Sequence, residues 1–84
     1  MKKTKPDIIL AHAIEQAQVI RVKRSENSKV EVYTRSGNVE SGPNAGMARF
    51  TEIAYPNSFP LITNNFLRLA QFGAAIEIDF KKEN

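Results

Sequence analysis

The chain contains no cysteine, so it has neither a disulfide framework nor a thiolate metal site. Histidine occurs once, at position 12. A Ser-His-Asp arrangement would have to use that one imidazole, and the serines at 25, 28, 36, 41 and 58 fall where turns, caps and strand ends account for them. His12 and Glu15 form a single His-x-x-Glu pair, whereas carboxylate di-iron bundles use the reverse order twice with two further glutamates. His12 therefore reads as a solvent-facing residue, and no metal or cofactor is expected. The carboxylates show no pairing that places two of them across a scissile bond. Long apolar runs are also missing. The longest, Ile8-Ile9-Leu10-Ala11, falls far short of the roughly 20 residues that span a bilayer. Asp7 and Glu15 interrupt any signal-peptide core behind the opening lysines, so the expected location is the cytoplasm, away from membranes. These absences argue against an enzyme.

What is present is ordinary in amount and uneven in distribution. With 84 residues, 42% of them hydrophobic and 25% charged, the chain is too apolar for disorder and large enough for one small core. The formal net charge of +3 comes from the ends. Lys2, Lys3 and Lys5 lie in an N-terminal tail (1–5), and Lys81 and Lys82 at the C-terminal boundary, with 82–84 as a second tail. Within the expected domain, 6–81, seven basic residues precede Lys81 against eight acids, and five of those seven fall between positions 21 and 35.

That basic stretch alternates apolar and polar residues around the polar turn Ser25-Glu26-Asn27-Ser28, the pattern of a half-buried β-hairpin. Ile20, Val22, Val30 and Val32 are expected on one face; Arg21, Lys23, Lys29, Glu31, Tyr33 and Arg35 on the other. Directly opposed residues share a face, so this grouping requires a loop of odd length. A five-residue loop, 25–29, opposes Lys23 to Glu31 and Arg21 to Tyr33 and avoids setting Lys23 against Lys29.

The flanking segments complete an α+β pattern. Pro6 in a first turn opens a helix over 6–17, with Ile9, Leu10, Ala13, Ile14 and Ala17 on its core stripe and Ile8, Ala11, His12 and Glu15 opposite. Ser36-Gly37-Asn38 turns the chain into a short third strand, 39–41. Met47, Phe50 and Ala54 keep helical spacing behind a cap at Asn44. Over 59–72 an Asn64-Asn65 hairpin competes with a helix. The helix is preferred, because Phe59, Ile62, Phe66, Leu69 and Ala70 share one arc, Ser58 can cap it and Gly73 can end it. Residues 75–81 alternate as a one-faced strand. The expected fold is a single small α+β domain, an antiparallel sheet with helices on one face, in the order α-β-β-β-α-α-β.

Two functions suit this pattern. Arg21, Lys23, Arg24, Lys29, Tyr33 and Arg35 together would form a nucleic-acid platform, the cations meeting phosphates and the tyrosine stacking on a base. The order of the first five elements is also that of double-stranded-RNA-binding domains, but the lysine cluster that opens their second helix has no counterpart here. Gly42-Pro43-Asn44-Ala45-Gly46 lacks the Gly-Lys-Ser/Thr ending of a phosphate-binding loop and reads as a turn. The alternative is a protein-protein interaction module, an inhibitor or accessory subunit of phage- or plasmid-like size. Ile8, Val19 and Leu61 on outer faces would suit such a partner or a homo-oligomer.

Overall fold

The computed structural model describes residues 5–80. In chain order it forms α1 (Lys5–Gln16), β1 (Ala17–Lys23), β2 (Glu31–Asn38), β3 (Ala48–Glu52), β4 (Leu61–Ile62), α2 (Thr63–Gln71) and β5 (Ala75–Phe80). The strands make one antiparallel sheet ordered β4-β3-β2-β1-β5, with both helices on one face, the α+β class expected from the sequence. Of the expected tails and strand end, residues 1–4, Lys81 and 82–84 lie outside the described residues, and Lys5 is the first residue of α1.

The core lies between the helices and the sheet. Ile14, Ala17, Ile20, Val22, Tyr33, Ala48, Phe50 and Phe66 are buried, and Leu61, Leu69, Ile76 and Ile78 pack against them. Phe66 is its hub. Its ring meets Tyr33 edge-on at 5.3 Å between centroids and Phe50 edge-on at 5.5 Å, the arrangement that aromatic quadrupoles favour.

The β1–β2 hairpin departs from the sequence reading by one residue. Ile20 opposes Tyr33, Arg21 opposes Val32 and Val22 opposes Glu31. A one-residue slip exchanges the faces of a whole strand. Tyr33, Glu31 and Arg35 therefore lie on the helix-covered face with Ile20 and Val22, while Val32 shares the open face with Arg21. The physical reason is size. Burying the Tyr33 ring against Phe66 removes more apolar surface from water than burying either valine, and it outweighs the charge pairings that favoured the other register.

Three further segments differ. Gly37, at φ +121°, does not begin a turn; it sits at a bulge that carries β2 on to Asn38. The segment expected as a helix after Asn44 is strand β3, whose Ala48 and Phe50 are buried while Arg49 and Thr51 are not, a period of two that competed with the helical spacing. The late helix starts at Thr63, not after Ser58. Ser58 closes a turn on the Tyr55 carbonyl, and Phe59 is 94% exposed instead of joining the core. Asn65 caps α2 by accepting the Ile62 N–H at 2.9 Å. Gly73, at φ +98°, ends it as expected: its N–H bonds the Ala70 carbonyl and the Ala74 N–H bonds that of Leu69.

Candidate functional site

Helix α1 runs into β1 without a loop, so the carbonyls of its last turn need partners close at hand. Arg35 supplies them. Its guanidinium donates to the Ala17 carbonyl at 3.0 Å and to the Glu15 carbonyl, and its Cζ lies 5.6 Å from the Phe50 ring centroid. A cation at a helix C-terminus also suits the helix dipole. Glu15, expected on the outer side of α1, turns inward. Its Oε2 accepts the Ala48 N–H at 3.0 Å and the hydroxyl of buried Thr63, tying α1 to β3 and to the start of α2. Ile9, expected on the core stripe, is exposed, and the packed side of the helix runs through Leu10 and Ile14.

The six hairpin residues chosen as nucleic-acid contacts divide accordingly. Arg35 is committed to the fold. Tyr33 is buried, so its ring has no face to offer a base; its hydroxyl donates to Glu31 Oε1 at 2.8 Å. Burial, reinforced by the neighbouring carboxylate, pushes its phenol up to about 12. Arg24 reaches over the loop to hold Glu31 through two bonds, 2.6 and 3.1 Å. That bidentate grip, aided by the Tyr33 hydroxyl, holds the Glu31 carboxyl below the usual range. On the open face Arg21 donates to Glu77 at 3.0 Å and to Asp79 at 2.5 Å, and these bonds raise its own pKa. Lys23 and Lys29 are exposed. The expected single basic face is thus not formed: its members lie on two faces and in the loop, and all three of its arginines and its tyrosine are bonded within the chain.

Two other arrangements bear on function. Between β4, α2 and the β1–β2 loop lies an open groove of about 300 Å³ lined by Arg24, Leu61, Asn65, Arg68, Leu69 and Phe72. In the glycine-rich loop the N–H groups are turned inward: those of Ala45, Gly46 and Met47 bond the carbonyls of Gly42, Val39 and Asn44. Those three donors are thereby spent inside the loop, and a strand follows it. Among the described residues no group of three His, Asp or Glu side chains is placed to hold a metal ion, and no helix is long and apolar enough to cross a membrane. His12 is exposed on α1, and Glu15 is turned away to Ala48 and Thr63.

The inward role of Glu15 had no signal in local spacing, because it depends on where β3 and α2 arrive. Comparison with protein-family models, with curated proteins and with solved structures finds no match.

Proposed function

We propose that this chain is a small non-enzymatic module that binds another protein, in the manner of an inhibitor or accessory subunit. One contrast carries the reading: three of the hairpin's five cations are already held by partners within the chain, while large apolar side chains are left in water. Phe59 is 94% exposed and Phe72 81%; Ile8, Ile9, Ile53 and Tyr55 are each more than half exposed. Exposed apolar residues of this size, in a domain with so little core, are what partner burial would use.

Nucleic acid is the competing partner, now through Lys23, Lys29 and the terminal lysines. Titrating labelled single-stranded and duplex RNA and DNA with the full chain, from about 50 to about 200 mM salt, separates the two, because phosphate contacts release counterions and weaken steeply with salt. The protein reading expects no saturable complex at the higher salt. It also expects a random peptide display library to converge on apolar-containing sequences when selected on the folded chain. A salt-resistant RNA or DNA complex weakened by Lys23→Ala or Lys29→Ala, with no convergence in the peptide selection, would replace it.

A further inference from the structure

The two margins of the sheet are unequal. β4 is two residues long, whereas β5 is six and, among the described residues, pairs only with β1. Alternate residues of an antiparallel strand direct their N–H and C=O groups away from a single neighbour, so β5 presents a row of open backbone donors and acceptors. Its side chains sort by face. Ile76, Ile78 and Phe80 lie on the helix-covered side, with Phe80 half exposed. Glu77 and Asp79 lie on the open side, their side chains 73% and 53% exposed although Arg21 holds both.

We propose that β5 receives an extended segment of a partner protein as a sixth strand, and that this segment carries lysine or arginine at alternate positions with apolar residues between. The proposal rests on the protein-binding reading and gives it a place. A guest strand would sit about 4.8 Å from β5, with its outward side chains directly opposite Glu77 and Asp79. The cation that holds those acids, Arg21, is on β1, one strand further from the guest, and Lys23 stands opposite Ala75. The guest's apolar positions would extend the row of Ile76, Ile78 and Phe80 over the core.

A second copy of the chain is the wrong guest. Two-fold antiparallel pairing keeps each residue opposite one on the same face. For β5 on β5, every such register that overlaps four or more of residues 75–80 sets Glu77 against Glu77 or Glu77 against Asp79. Like charges opposed across strands are destabilising, so the acids that could admit a basic strand also exclude self-association along this edge.

The test uses two blocked hexapeptides, one alternating lysine with valine and one alternating glutamate with valine, titrated into the isotopically labelled full chain. Amide shift changes and slowed hydrogen exchange are expected at residues 75–80. The lysine peptide should bind at least about fivefold more tightly, the effect of two favourable cross-strand pairs replaced by two unfavourable ones, and the gap should narrow with salt. The chain's net charge of +3 would by itself favour the glutamate peptide, so the preference reports the edge and not the whole surface. Glu77→Gln with Asp79→Asn should abolish the preference, and Glu77→Lys with Asp79→Lys should reverse it. Equal affinities, no perturbation at 75–80 with millimolar peptide, or perturbation centred on the groove near Leu69 and Phe72 would each overturn the strand-addition proposal. The last result would leave the protein-binding reading standing.

Discussion

Arg35 and Arg21 belong to the same hairpin and reach opposite faces of the sheet, and their partners differ in kind. Arg35 lies under the helices and bonds two backbone carbonyls at the junction of α1 and β1, against the Phe50 ring. Those carbonyls sit where the intrahelical ladder runs out, so the side chain is part of the framework. Arg21 lies in the open and bonds two carboxylates that water would also solvate. Residue type alone does not separate a strut from a solvated ion pair. The partner and its access to water do.

The difference can be broken most severely at the hub of the covered face. Phe66→Ala removes the ring that Tyr33 and Phe50 both meet and should destabilise the fold by about 3–5 kcal/mol in a denaturant titration, a large share of what so small a domain has. Arg35→Ala comes next. Losing its charge-assisted bonds to the Glu15 and Ala17 carbonyls should cost about 1.5–3 kcal/mol, with little relief from added salt. Arg21→Ala should move the same midpoint far less, and raising the salt should shrink even that difference. Equal losses for the two arginines would erase the distinction between the faces.

Much of the fold was legible. The α+β class, the first helix, the β1–β2 hairpin, the Gly73 helix end and the last strand follow from periodicity and turn chemistry, which act locally. What was not legible depended on distant partners. The hairpin register turned on Phe66, more than thirty positions beyond Tyr33, which draws that ring inward. Helical spacing at Met47, Phe50 and Ala54 coincided with a strand alternation at Ala48 and Phe50 that only the neighbouring β2 makes favourable. Glu15 looked like a surface acid until Ala48 and Thr63 reached it. The placement of the hairpin cations on two faces was hidden for the same reason. A count of cations in a hairpin does not show which of them the fold itself will use.

The burial of Tyr33 is the point on which register, arginine roles and the protein-binding reading all turn, and it can be measured directly. Tyr33 and Tyr55 are the only tyrosines and tryptophan is absent, so a Tyr55→Phe variant reports Tyr33 alone through its ultraviolet absorbance. The folded state holds the Tyr33 proton more tightly than the unfolded chain does. Its contribution to stability is therefore complete below about pH 10, the ordinary phenol value, and is lost as the pH rises from there through about 12. The account expects no tyrosinate near pH 10, ionisation only toward pH 12, and a falling stability over that interval that Tyr33→Phe flattens. An ordinary titration near pH 10 with the fold intact would put Tyr33 on the open face and contradict the account.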